Sequence, residues 1–379
     1  MKILMVSIPN HHFFQWVNQL KDSGHEVYWF DSTDGGLAVE RINWVHQIKG
    51  WKLRWDFPFR NKIKSNYSKW YTFIRKINER DIAVVFDKKI KEIQPDIVHC
   101  FEMQLAGLPI LSVMNKNKIP FIYSSWGSDL FNFKNLGVTE VEAKTFLKRT
   151  NYLITDCARD HKIAKELGFT NTFLGTFPGN GGIEIENIFI QPTTNKKTIC
   201  IKGYDDGIGK ALVVIKAIEF IDLDSSIDFL IYSADENVVN HLKQSNYFKH
   251  KKVEIISRNA FVSNQLLLQK MGKSMLYVGN SVSDGMPNSL LEAMGMGAFP
   301  IQSNPGRVSE EVITHGVNGF LIEDPFDTTE IARLITEGLT RLVLREAAQR
   351  YNVNYVDAHF NRAKLQPKIV GLYHNVNLL

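Results

Sequence analysis

Cysteine is scarce in this chain. Its 379 residues hold only Cys100, Cys157 and Cys200, and no two of them form a CxxC pair. Each ends or follows an apolar run. They therefore read as small buried residues in a reducing compartment, not as a nucleophile or a metal cluster. Long apolar runs are missing too. No window approaches the roughly 18 uninterrupted apolar residues of a spanning helix. The opening MKILMVSIPNHH is too short in its apolar part for a signal peptide, so a cytoplasmic protein is expected, with attachment to the inner face of a membrane as the alternative. Neither sign of charge prevails: 45 basic and 40 acidic residues leave a net +5. That balance gives no global field for nucleic acid, and no nucleic-acid partner is expected. Low-complexity tracts and short repeats are absent as well, which sets aside fibrous and solenoid architectures.

What remains is an ordinary folded composition, 44% hydrophobic and 22% charged, over a length that suits two domains. The run KILMVS is apolar without alternation, as a strand buried on both faces requires. A helical stretch, HFFQWVNQLKDSG, follows, and HEVYWF resumes a strand. The rhythm recurs through DIAVVFDKKIKEI, PDIVHCF, LAGLPILSVMNKN, IPFIYSS, NYLITDC and ARDHKIAKELG. It lapses at IEIENIFIQPTTNKK, where Pro192 and a polar end mark a linker, and a second series starts at KTICIKGY. Alternating strand and helix units predict two doubly wound α/β domains: residues 1–190, and residues 191–355.

Residues 48–77 interrupt the pattern with nine Lys or Arg against one acid, interleaved with Trp, Phe and Tyr. Such a stretch is a solvated face with a few core aromatics, a surface for anionic lipid or an anionic acceptor, or a single-strand nucleic-acid groove. The Asp222-Leu-Asp224 pair sits at a helix-to-strand connection and reads as a solvated turn, so no metal site is expected.

The stretch SDGMPNSLLEAM places Asp284 and Glu292 eight positions apart around a helix start. Pro287 suits the first helical turn, where its missing N–H costs nothing. Gly285 permits a sharp turn and close backbone approach. The N–H groups near Met286, Asn288 and Ser289 then face the space before the helix, as a phosphate or a sugar oxygen requires. Glu292, about one turn inside, can accept from two adjacent hydroxyls, and Asp284 can reach another part of the same ligand. The spacing fits a long, phosphorylated, polyhydroxylated ligand. It equally fits a turn aspartate and a surface glutamate.

The longer segment SVSDGMPNSLLEAMGMGAFPIQSNPGRVSEEVITHGVNGFLI resembles the donor half of retaining GT-B glycosyltransferases, family four. The pattern is acid, seven residues, acid, then Ala-Met, Gly and Pro: Asp284, Glu292, Ala293, Met294, Gly297 and Pro300, with Gly316 and Gly319 following. The family usually has Glu where Asp284 stands. The resemblance implies that Glu292 holds a ribose, that Asp284 and the backbone at Gly285, Met286 and Pro287 hold the donor hexose, and that Asn288, Ser289 and Leu290 offer N–H groups to the diphosphate. In IKGYDDGIGKAL, Lys210 takes the place of the family's diphosphate lysine. Tyr204 stands where the family has Arg, and Lys202 is the candidate substitute. In the first half the resemblance is looser. His11 and His12 lie in the first strand-to-helix loop, as phosphate or acceptor contacts or as plain helix caps. In YSSWGSDLF, Asp129 either orients the acceptor or reacting sugar or caps a helix.

The family's fold is GT-B: two Rossmann-like domains facing across a cleft, with a C-terminal helix, here 356–379, crossing back to the first. The implied activity is metal-independent transfer, with retention, of a hexose from a nucleotide diphosphate sugar, UDP before GDP. No cofactor is implied. Because the first domain holds acceptors in this fold, the basic aromatic stretch 48–77 makes a hydroxyl of a glycan or lipid-linked carrier, in surface polysaccharide synthesis, the expected acceptor. A sugar-nucleotide epimerase, a phosphorylase, or a non-catalytic sugar-nucleotide-binding protein of the same fold are the alternatives.

Overall fold

A computed structural model describes residues 1–58, 60, 66 and 68–376. The chain divides into two compact units. The first comprises Met1–Asp156, Asp160–Asn180 and Val370–Leu379; the second comprises Cys157–Arg159 and Gly181–Ile369. The crossing thus falls at 180/181 and 369/370, not at 190/191 and 355/356. The reason is local: Ile183 N donates to Phe360 O at 2.7 Å and Arg362 N to Ile183 O at 3.0 Å, so segment 181–185 is stitched to the second unit. A Cβ on Gly182 would stand 2.8 Å from Arg362 Cα, which is why only glycine passes there.

The first unit is built on seven parallel strands in the order β3-β2-β1-β4-β5-β6-β7. They are β1 Lys2–Ser7, β2 Glu26–Asp31, β3 His46–Ile48, β4 Ile97–Phe101, β5 Phe121–Ser124, β6 Tyr152–Thr155 and β7 Thr172–Thr176. The second unit has six parallel strands in the order β10-β9-β8-β11-β12-β13. These are β8 Thr198–Lys202, β9 Asp228–Ala234, β10 Val253–Ser257, β11 Ser274–Gly279, β12 Phe299–Ser303 and β13 Phe320–Ile322. The inner strands β4, β11 and β12 are buried along their whole length, as helices on both faces demand. In each sheet the order reverses beside the first strand: between β1 and β4, and between β8 and β11. At such switch points the loops leaving the carboxyl ends diverge and leave a crevice.

The helical stretch expected over LAGLPILSVMNKN is broken. A π-turn at Met103–Gly107, a 3₁₀ turn at Leu108–Ile110 and a short helix at Leu111–Met114 replace it. Pro109 removes one N–H, and the turn opens on Glu102, a non-glycine residue at φ +76°. The basic aromatic stretch divides in two. Trp51 is a core residue, stacked on Phe30 at 5.1 Å and donating from Nε1 to Asp31 O at 2.8 Å. Further on, the helix Ser68–Asn78 exposes Phe73 and Ile77 one turn apart, with Arg75 and Lys76 also exposed. Residues 59, 61–65 and 67, including Lys62 and Lys64, lie outside the described residues.

Tyr373 completes the core of the first unit. Its hydroxyl accepts from Trp16 Nε1 at 3.0 Å and bonds His99 Nδ1 at 2.7 Å, while His99 Nε2 bonds Ser124 Oγ at 2.8 Å. Burial holds the His99 imidazole well below the ordinary histidine range. The network is therefore built on a neutral ring.

Candidate active site

The loops flanking the switch point of the second sheet form one wall. The loop after β8, residues 203–210, lies along the loop after β11, residues 280–287. Lys210 N donates to Asn280 O at 3.0 Å, Val282 N to Ile208 O at 3.0 Å, and Gly209 bridges Ser281. Two glycines make this possible. A Cβ on Gly203 would meet Ala234 Cα at 2.6 Å, and one on Gly209 would meet Tyr204 O at 2.3 Å.

Asp284 and Lys202 meet on this wall. Lys202 Nζ stands 3.9 Å from Asp284 Oδ2, with side chains 24% and 29% exposed, so both retain a solvent face. Burial pushes the Asp284 carboxyl up, against the opposing pull of Lys202, the Gly285 N–H and Arg159. Burial also penalises the Lys202 ammonium, but Asp284, Tyr277, Tyr204 and Glu292 outweigh it and hold it above the usual lysine value. Lys202 is thus a cation held at the mouth of the site.

The helix Asn288–Gly295 starts on this loop. Pro287 is its N-cap, at φ −69° and ψ 113°, one position before the first helical residue where the sequence suggested it. Pro287, as the cap residue, contributes no side-chain hydrogen bond. Of the three N–H groups assigned to phosphate, that of Leu290 already donates to Pro287 O at 3.0 Å, so it is no longer available to a ligand. Ser289 Oγ accepts from Tyr277 OH at 3.0 Å. The side chains of Met286 and Leu290 are core residues, which leaves only their backbone to the site. Gly285 does not adopt a left-handed backbone conformation, but its N–H serves the Asp284 carboxylate. Glu292 Oε1 accepts from Asn264 Nδ2 at 2.8 Å. Burial pushes the Glu292 carboxyl up, opposed by that hydrogen bond, by Arg362 and by Lys202, while Glu184 adds to it.

Lys210 is the N-cap residue of the helix Ala211–Glu219, and its Nζ donates to Gly207 O at 2.5 Å, 5.4 Å from the Phe326 ring centre. Tyr204 carries two cations on its ring: Lys202 Nζ at 4.9 Å and Arg258 Cζ at 4.1 Å. Arg258 is itself paired with Asp206 at 2.9 Å and Asp235 at 3.1 Å. Asp222 and Asp224 lie in the connection between the helix Ala211–Glu219 and β9, where Asp224 accepts from Ser226 N at 2.7 Å.

In the first unit, His11 and His12 begin the helix His11–Asn18, beside the switch point. Asn10, not either histidine, is the cap: its Oδ1 accepts from His12 N at 2.8 Å. His11 Nδ1 contacts Arg41 Nη1 at 3.1 Å, and the His12 ring lies edge-on to Trp126 at 6.0 Å. Asp129 lies deep in the first unit. It is 3% exposed, and its carboxylate accepts from Tyr123 OH at 2.6 Å, Trp126 N at 2.8 Å and Met103 N at 3.0 Å. An acid so occupied ties the strand-end loops together around it. It is not the helix cap, a place taken by Gly127.

Three residues escaped the sequence reading. Glu102 accepts from Gln104 N at 2.6 Å and Leu105 N at 2.5 Å, and burial with the nearby Asp129 charge pushes it up to about 8. Its signal was weak: an acid at the carboxyl end of a buried strand. Asn264 and Arg159 had no signal at all, since neither lies in the motifs they support.

Comparison with known proteins bears on the family and the fold. Residues 2–157 match the family described as glycosyl transferase 4-like, and residues 202–341 match glycosyl transferases group 1. No curated protein matches the sequence. Among solved structures, sucrose-phosphate synthase from Thermosynechococcus elongatus is similar over 100% of this chain and 99% of its own, at 14% identity and a TM-score of 0.74. Anabaena HepE, in complex with UDP and glucose, is similar over 99% and 100%, at 12% identity and a TM-score of 0.69. A glycosyltransferase from Rickettsia africae is similar over 99% and 98%, at 15% identity and a TM-score of 0.69. With family matches over both halves and two all-parallel Rossmann-like units, the chain belongs to the group 1 glycosyltransferases of GT-B fold.

Proposed function

We propose that the protein moves a hexose from a UDP-sugar, or less readily a GDP-sugar, to a hydroxyl of a glycan or lipid-linked acceptor, with retention and without a metal. The observation that carries this reading is the wall formed by loops 203–210 and 280–287 at the start of Asn288–Gly295. A helix start of this kind favours an anion. Glu292, oriented by Asn264, takes the ribose diol. Asp284 takes a hexose hydroxyl. Lys202 and Lys210 balance the diphosphate as it leaves, which is the main catalytic contribution. The leaving phosphate itself takes the acceptor proton, so no side-chain base is required. HepE was solved with UDP and glucose, which supports UDP as the first nucleotide to try.

The acceptor reading leans on the helix Ser68–Asn78. Exposed Phe73 and Ile77 beside Arg75 and Lys76 suit the headgroup region of an anionic bilayer. Among the described residues no helix is long and apolar enough to cross a membrane, so the protein would bind such a bilayer from one face.

Thermal shift with UDP, GDP and other nucleotides tests the donor. A ligand at roughly 100 times Kd stabilises by about 2.7 kcal/mol. That raises the melting temperature by several degrees, and Glu292→Ala should abolish the rise. No rise with any nucleoside diphosphate, or an equal rise in Glu292→Ala, would overturn the assignment.

A further inference from the structure

The donor loop is held by a cation that no motif predicts. Arg159 is the second residue of the helix Ala158–Glu166 and is 8% exposed. Its Nη2 donates to Asp284 O at 2.9 Å and its Nη1 to Pro305 O at 2.9 Å. The guanidinium therefore spans the loop after β11 and the turn after β12. Its own backbone is fixed in turn: Glu311 Oε1 accepts from Arg159 N and Oε2 from Ala158 N, both at 2.8 Å. All these residues belong to the second unit.

We propose that Arg159 is a positioning residue for nucleotide-sugar binding, clamping the Asp284 carbonyl so that the Gly285–Ser289 backbone faces the diphosphate. This rests on the donor assignment made above. The fork geometry matters, because two carbonyls on separate loops are held at once, which the single ammonium of a lysine does less well. The charge matters too. Asp284 is faced by Lys202 on β8, by Arg159 and by the Gly285 N–H, and Arg159 is one of the two cations that favour its ionised form. Lys202 is in turn faced by Asp284, Tyr277, Tyr204 and Glu292. With Arg159 gone, Asp284 takes up its proton at higher pH.

That gives a signature that mere loosening of the fold lacks. At about pH 8 an ionised Asp284, deprived of one cation, repels the diphosphate, and Arg159→Ala should bind UDP about tenfold more weakly than wild type. As the pH is lowered into the range where Asp284, raised by burial, takes up its proton, the deficit should shrink. Arg159→Lys should recover part of the affinity and keep the wild-type pH dependence. Titration calorimetry with UDP on the whole chain, each variant divided by wild type at each pH, removes the titration of UDP itself. Arg159→Gln serves if the alanine variant does not fold. UDP affinity within about twofold of wild type in the neutral variants, or a deficit that does not change across a descending pH series, would overturn the role. Wild-type protein that fails to bind UDP at all would instead sink the donor assignment, and the role with it.

Discussion

The substitution Gly209→Ala tests the wall directly. Gly209 does not adopt a left-handed conformation, so alanine meets no backbone penalty there. The whole effect is contact. The added methyl would lie 2.3 Å from Tyr204 O and 2.6 Å from Tyr204 Cβ, where ordinary contact begins at 3.4 Å. Both neighbours belong to the loop itself, so the loop must open by about 1 Å, and a misplacement of that size costs about 100-fold in rate. Opening also strains the bonds that Lys210 N and Val282 N make across to the neighbouring loop. The fold should survive, because the core of the second unit does not include Gly209. The assay is release of UDP from UDP-sugar, with the UDP-dependent thermal shift as a second readout. The expected result is a melting temperature within a few degrees of wild type, a UDP shift at least halved, and turnover near the background. A Gly209→Ala protein with normal turnover would show that the closeness of the two loops has no part in donor binding.

Three further predictions concern the first unit. Tyr373→Phe leaves Trp16 Nε1 and His99 Nδ1 without their shared partner, and should cost about 1–3 kcal/mol in urea unfolding. His99 has a lowered folded pKa, so below about pH 6.5 the unfolded chain binds the extra proton and stability falls as pH falls. Above that pH its contribution is complete. Urea curves at about pH 5 and about pH 7.5 should show this slope, and His99→Gln should lessen it. For the membrane, flotation with phosphatidylglycerol vesicles should recover the protein, and Arg75→Ala with Lys76→Ala should weaken binding by about 2 kcal/mol. Equal recovery with uncharged phosphatidylcholine vesicles would argue against an anionic surface.

The legible parts of the molecule are those whose signal is local. Buried parallel strands such as KILMVS and SMLYVG announce themselves as apolar runs, and the acid pair at 284 and 292 sits within one loop and one helix. Asp129 was visible as a residue but not in its role, because Tyr123 and Met103 reach it from other elements. Arg159 and Glu311 are about 150 positions apart, and only folding makes them a pair. The break at Met103–Met114 was missed because Leu, Ala and Ile there fit a helical period, whereas Glu102 enters at a positive φ that periodicity does not register. The crossing at 180/181 was misplaced for a similar reason: Pro192 punctuates the sequence, but the Ile183 bonds to 360–362 decide where the chain changes allegiance.

The place of Tyr373 bears on how the protein is made. Domains generally fold as they leave the ribosome, the N-terminal one first. Here the first 180 residues emerge early but lack a phenol that joins Trp16 to His99, and it arrives only after almost 200 further residues have been added. Until then the nascent unit holds an indole N–H and an imidazole with an unfilled notch between them. Its final consolidation thereby waits on the synthesis of residue 373, and a chain stalled before it should be a target for proteolysis.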